Sequence, residues 1–371
     1  MIRHCDSIEF NFPLDGLMLT DAAGEKTEKG LKIIAYVDAP SGKKFTLNGI
    51  PMEMKMHDMY SAEVLLDSYK NTLELVEEGG YRQSIDVYYL KKGCRKYRYS
   101  LDDNIWFLQN LTENKDVYKS AFEDPYLAML KDIHDRYGSK FHINVYWETP
   151  RHGGFNLTQM TDKFRSEFIA NSDWMRMSFH ANADVPGRPY VHATYDQVKF
   201  EAGRINDQII RFAGEETFSK SVCTVHFGDI SYEGAKALRD LGYRALVSTY
   251  SYGTLKGYDI RAYCDAETCF LLQKYGFWYD KDLDICHFRY NGGIQHADPK
   301  NFPAILEGNE KAAPMYLFKD ICLHEQYFYP DYARHQPNYP EKLDTTCRWL
   351  DEHGYEPILM DELFEFNTHK N

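Results

Sequence analysis

The sequence predicts an α/β protein in two parts, a small all-β sandwich over residues 1–95 and a (β/α) barrel over residues 96–371. Three observations predict it. The first part alternates apolar and polar residues in short runs and contains no helix-length periodicity. The second part alternates strand and helix patterns, and repeated βα units build a parallel sheet that about seven such units turn into a complete or distorted barrel. The length of 371 residues suits two or three units better than one.

In the first part, residues 32–37 are rich in β-formers and stop at Pro40 and Gly42. Residues 45–47 meet Asn48-Gly49, the strongest short hairpin signal, before residues 50–52. Residues 60–66, 72–76 and 85–89 follow as strands, with Gly79-Gly80 turning between the last two. In the second part, residues 97–101 read as a strand. Asp124 caps a helix with Pro125 at its first position, Leu127, Leu130 and Ile133 on one face, and Gly138 at its end. Residues 141–147 and 174–179 are the next strands. Val198, Ala202, Ile205, Ile209 and Phe212 form a helix face that ends at Gly214. Strands at 222–225, 244–248, 321–323 and 357–360 are expected, with a helix capped by Ser231 and another over 340–353.

Composition excludes several function classes. Lys and Arg number 43 against 56 Asp and Glu, a net charge of −13, whereas nucleic-acid binders show a basic face. The same charge disfavours a strongly anionic polymer as substrate. Apolar runs fall far short of the roughly 18 residues a membrane span needs, so no membrane partner is expected. The eight cysteines stand singly, without C-x-x-C pairs, and the amino end lacks the basic-then-apolar build of a secretion signal. A cytoplasmic, reducing location is the expectation. The 29 Tyr, 22 Phe and 5 Trp either fill a core or furnish surfaces that stack on sugars.

In a parallel αβ barrel the chemistry gathers where the strands end. Four strand ends deliver polar residues: Asp102-Asp103 after 97–101, His180 and Asp184 after 174–179, His226 and Asp229 after 222–225, and His324-Glu325 after 321–323. Each has a plainer alternative, since the aspartates can cap the next helix and each histidine can be a satisfied core residue. Shared placement at one rim favours a site. Aspartate with histidine suits one divalent ion, zinc first, with cobalt, nickel or iron as alternatives. Side-chain alternation sends one of the two adjacent aspartates inward and the other aside, so that one ligates while its neighbour serves as a base.

Ser100-Leu101-Asp102-Asp103 resembles the T-F-D-D motif of NodB-type polysaccharide deacetylases. His180-Ala181-Asn182-Ala183-Asp184 stands where that family carries H-x-x-x-H, and Cys322-Leu323-His324 matches its L-x-H motif. The resemblance covers residues 97–366 and leaves out the β part, which is similar to immunoglobulin-like modules attached to carbohydrate enzymes. It implies a distorted (β/α) barrel of the polysaccharide deacetylase type that removes acetyl groups from a carbohydrate substrate with one metal ion. By position it implies Asp102 as general base, Asp103 and His180 as ligands and His324 as general acid. Asp184 replaces the second metal histidine of the family. The arginine motif that steadies the base appears as Thr224-Val225-His226-Phe227-Gly228, so His226 either stands in for that arginine or becomes the third ligand. The family's Asp-x-x-Asp-Trp motif is absent, and Ser248–Gly253 stands in its place. These departures leave two alternatives open: a carbohydrate-binding protein that has lost catalysis, and a glycosidase with paired carboxylates such as Asp102 and Asp184.

Overall fold

The computed structural model describes residues 7–56, 58–253 and 259–364. Cys5, with the rest of residues 1–6, and the last two residues covered by the resemblance lie outside them.

Period-two burial builds the first part. Along Leu31–Asp38, the side chains of Leu31, Ile33, Ala35 and Val37 are buried, and the residues between them face outward or lie half-covered. This strand pairs antiparallel with Glu9–Phe12 on one side and Met59–Leu66 on the other. A second sheet holds Arg82–Tyr89, Lys70–Glu77 and Phe45–Leu47. Asn48 and Gly49 turn the predicted hairpin with φ of 49° and 79°, and Leu47 pairs with Ile50 across it. One apolar cluster joins Leu31, Ile33 and Val64 of the first sheet to Leu47, Leu73 and Val87 of the second.

That cluster also takes in Leu271 and Tyr275 of the Ala266–Tyr275 helix. A further cluster mixes Met18, Tyr88 and Leu90 with Val222, Phe277 and Phe288. Leu17 bridges Trp278 on the Phe277–Asp280 strand, and Tyr279 donates its backbone N–H to the Gly16 carbonyl at 2.8 Å. The first part is thus packed on the second and covers an edge of its sheet.

Among the described residues the second part is mixed α/β with eight parallel strands, of which Glu356–Pro357 pairs with the start of Lys96–Asn104. Met175–Ala181, Phe141–Tyr146, Lys96–Asn104 and Phe318–His324 lie side by side in that order, and Val222–Cys223, Ala245–Ser248 and Ile285–Arg289 form a second parallel row. Single bridges connect the rows at both edges, Met177 to Phe218 and Gly292 to Ile321. The Pro125–Tyr137 helix begins as the sequence predicts, with the Asp124 side chain accepting the Leu127 N–H at 2.9 Å, and ends at Gly138 with φ 65°. The 222–225 and 357–360 strands are shorter than expected, at Val222–Cys223 and Glu356–Pro357. The Trp106–Glu113 helix was not legible because its start has no capping side chain of its own. No helix among the described residues is long and apolar enough to cross a membrane.

Between the strands the interior is polar. The Arg98 guanidinium, 1% exposed, donates from Nε to Asp320 Oδ1 at 2.8 Å and from Nη2 to Thr224 Oγ1 at 2.7 Å. Burial pushes the Asp320 carboxyl up to about 6 against the pull of Arg98. Removing one member of such a pair strands a buried charge. Asp320→Ala is therefore expected to cost about 3–5 kcal/mol in urea unfolding, and the double replacement Arg98→Met/Asp320→Leu should recover most of that loss. A cost below about 1 kcal/mol for Asp320→Ala would put the pair in the range of exposed ion pairs and refute its structural role.

Candidate active site

Two bulges shape the rim. Leu101 lies opposite Ile143, but Asn104 lies opposite Val145, so the Lys96–Asn104 strand carries one extra residue at Asp102-Asp103. Asp103 absorbs it with a left-handed backbone, φ 61°. The neighbouring pair of strands repeats the device, with Val145 opposite Phe179 and Tyr146 opposite Ala181, which leaves His180 as the extra residue. The expectation that alternation turns one aspartate aside is corrected by this geometry. Asp102 and Asp103 are both buried, each within its own set of partners.

Asp103 sits among imidazoles. Its Oδ1 is 3.1 Å from His180 Nε2 and 3.4 Å from His226 Nδ1, and those two nitrogens are 3.2 Å apart. His180 donates from Nδ1 to the Thr224 carbonyl, which orients the ring and points Nε2 at Asp103. The Tyr146 hydroxyl donates to Asp103 Oδ1 and lies 3.1 Å from His226 Nδ1. Burial alone would push the Asp103 carboxyl up, but His324, His180 and His226 outweigh it and hold the carboxyl well below its usual range. Burial opposes a charge on His180, yet Asp103 and Asp102 raise it above an ordinary histidine.

The donor set was tested against a divalent ion. Ligands about 2.0–2.2 Å from a tetrahedral ion stand roughly 3.3–3.6 Å apart. The separations of 3.1, 3.2 and 3.4 Å among Asp103, His180 and His226 are close to that edge length, and all three residues are buried. One carboxylate and two imidazoles is a donor set of the zinc type. The residues fit.

Asp102 occupies the adjoining set. Ser100 Oγ donates to its Oδ1 at 2.8 Å and Asn144 Nδ2 donates to the same oxygen at 2.7 Å, while the Cys322 thiol donates to Oδ2 at 3.2 Å. Ser100 is linked through Thr224, at 3.0 Å, to the Arg98–Asp320 pair. His324 donates from Nδ1 to Gln295 Oε1, which turns Nε2 toward Asp103 Oδ2 at 3.9 Å.

Asp184 is the one predicted site residue that the structure leaves outside these sets. It lies three residues beyond the end of the Met175–Ala181 strand, with its carboxylate 3.7 Å from Arg151. His226 stands in the position of third donor, and Asp102 is steadied by Ser100 and Asn144. The helix-cap alternative for Asp102-Asp103 is also corrected. Glu325 caps the Trp106–Glu113 helix, accepting the N–H groups of Ile105, Trp106 and Phe107 at 2.7, 3.0 and 2.6 Å. Tyr146 was missed, although it lies next to the end of a predicted strand, because one tyrosine among 29 does not stand out. In the aromatic loop after His324, Phe328 and Tyr329 pack onto Tyr126, so these rings contribute largely to the core. His287 is buried between the hydroxyls of Tyr250 and Tyr263, away from the rim cluster.

The sequence matches no family model and no curated protein. Among solved structures, the chain is similar to the Xyl-CE4 domain of a multidomain xylanase from the hindgut metagenome of Trinervitermes trinervoides, at 12% identity and a TM-score of 0.38, over 73% of this chain and 90% of that one. It is similar to a family 4 acetyl xylan esterase from Clostridium thermocellum in complex with a cobalt ion, at 15% identity and a TM-score of 0.39, over 72% and 90%. It is also similar to a 4-alpha-glucanotransferase from Thermococcus litoralis, at 11% identity and a TM-score of 0.44, over 72% of this chain and 39% of that one.

Two pH dependences follow from the geometry. Because the proton on His180 is held more tightly than on an ordinary imidazole, a cation must displace it, and calorimetric affinity for zinc should weaken as pH falls through the raised value. An affinity flat from pH 5 to 8 would exclude His180 as a ligand. Burial pushes the Glu325 carboxyl to about 8 despite its three N–H donors. A folded value above the unfolded one means its contribution is complete at acid pH and is lost as pH rises through 8. The stability of the wild type relative to Glu325→Gln should therefore decline from pH 5 to pH 9, and a rise would mean that the three donors outweigh burial.

Proposed function

We propose that the chain is a metal-dependent hydrolase that removes an acetyl group from a nitrogen or oxygen of a carbohydrate. One observation carries the reading: Asp103, His180 and His226, from three separate strand ends, meet in one buried donor set with Asp102 and His324 beside it. Its architecture is read as a distorted seven-stranded (β/α) barrel over residues 96–371 behind an immunoglobulin-like sandwich over residues 1–95. The two edge bridges support the first assignment, and the apolar cluster common to the two antiparallel sheets supports the second.

Asp103, His180 and His226 would hold a divalent cation, which would supply Lewis acidity toward water and the acetyl carbonyl. The chain's own residues do the rest. Asp102 acts as general base. Its Oδ1 is engaged by Ser100 and Asn144, so Oδ2, which carries only a weak thiol bond, is the oxygen that takes the proton of the attacking water. The water oxygen bonds to the acetyl carbon, and the bond from that carbon to the sugar nitrogen or oxygen breaks. His324 gives the leaving atom its proton from Nε2, with Nδ1 anchored on Gln295. Acetate and a free amine or hydroxyl are the products. Tyr146 orients Asp103 through its hydroxyl.

Elemental mass spectrometry after dialysis tests the reading. Wild type should hold about one divalent ion per chain, and Asp103→Ala should lose both metal and turnover on N-acetylated and O-acetylated sugar oligomers. Asp102→Asn should keep the metal and lose about 10²–10⁴-fold in turnover, the usual worth of a general base. Full metal and full turnover in Asp103→Ala would end the proposal. Metal-free wild type that binds sugar equally with and without chelator would favour a carbohydrate-binding protein on the same fold.

A further inference from the structure

We propose that Asp102, Cys322 and His324 form a second, inhibitory cation site that takes a thiophilic ion such as cadmium or excess zinc. The inhibition, though not the binding itself, rests on the hydrolase reading above. Each of the three residues offers a ligand atom within 4.8 Å of the others, and none belongs to the Asp103 set. Strand register puts them together. Cys322 and His324 are two residues apart on one strand and so share a face, and Asp102 lies directly opposite His324 on the next strand. The thiol is 3.2 Å from Asp102 Oδ2 and 4.0 Å from His324 Nδ1. Gln295 Oε1, which accepts the Nδ1 proton, brings an amide oxygen to the same nitrogen.

A carboxylate, a thiol, an imidazole and an amide oxygen make a four-donor set whose sulfur selects softer ions over magnesium or calcium. Binding releases the Cys322 thiol proton to solvent, and the His324 ring proton moves from Nδ1 to Nε2, so that a neutral imidazole ligates through Nδ1. The ion then occupies Asp102 Oδ2 and frees the His324 ring from Gln295, removing the base and misorienting the acid together. Cys322 and His324 are both half-buried at the rim end of their strand.

The experiment adds cadmium chloride to protein already loaded with one equivalent of zinc and follows the ultraviolet thiolate-to-cadmium band together with turnover. The band should saturate near one added equivalent, with turnover falling at least tenfold. Cys322→Ser should abolish the band, and His324→Gln, with its thiol intact, should weaken cadmium binding at least tenfold. Asp103→Ala should keep the band, because its cation set is separate. A band absent from wild type, or unchanged in Cys322→Ser, overturns the site. A band that appears without any loss of turnover overturns the inhibitory role. Wild type that shows the band yet never holds the first zinc would sustain this site and defeat the hydrolase reading instead.

Discussion

The left-handed backbone at Asp103 is the constraint on which the site depends. A regular strand would separate two adjacent carboxylates onto opposite faces. The bulge lets the chain keep its hydrogen bonds to Phe141–Tyr146 while Asp102 and Asp103 enter neighbouring buried sets. An aspartate at φ 61° stores strain of order 1–3 kcal/mol. The imidazoles on one side, and Ser100 with Asn144 on the other, hold the arrangement against it.

The interior behind the rim explains why those partners stay in place. Arg98, Asp320, Thr224 and Ser100 form a continuous hydrogen-bonded line that ends on Asp102. A buried polar line of this kind is costly unless every member is paired, so displacement of one member is felt at the others. Glu325 adds a second fastening. Its carboxyl group grips the helix that follows Asp102-Asp103, and its own backbone follows His324, which ties the segment carrying His324 to the segment carrying Asp102.

Much of this was legible in the sequence, for identifiable reasons. Period-two burial disclosed the 31–38 strand, and Asn48-Gly49 disclosed its hairpin, because local chemistry sets both. The strand-end rule singled out Asp102, Asp103, His180, His226 and His324, which the fold gathers into two adjoining clusters. Asp184 lies beside Arg151 instead, since three residues past a strand end the loop, not the register, decides where a carboxylate points. Bulges were invisible because they arise from pairing between strands distant in sequence, and so was Glu325 as a cap, whose helix begins some 220 residues earlier. Arg98 and Asn144 were overlooked although polar residues within largely buried strands carry a signal of their own.

The Leu17–Trp278 bridge bears on how the second part keeps from self-association. The Phe277–Asp280 strand ends its row of the sheet, and a bare strand edge is a template for unwanted pairing. The amino-terminal residues shield it with their own backbone, and Met18 and Tyr88 seal the apolar surface alongside. A carboxyl-terminal part freed of these residues would bare that strand edge and the apolar surface beside it, the two features that drive self-association.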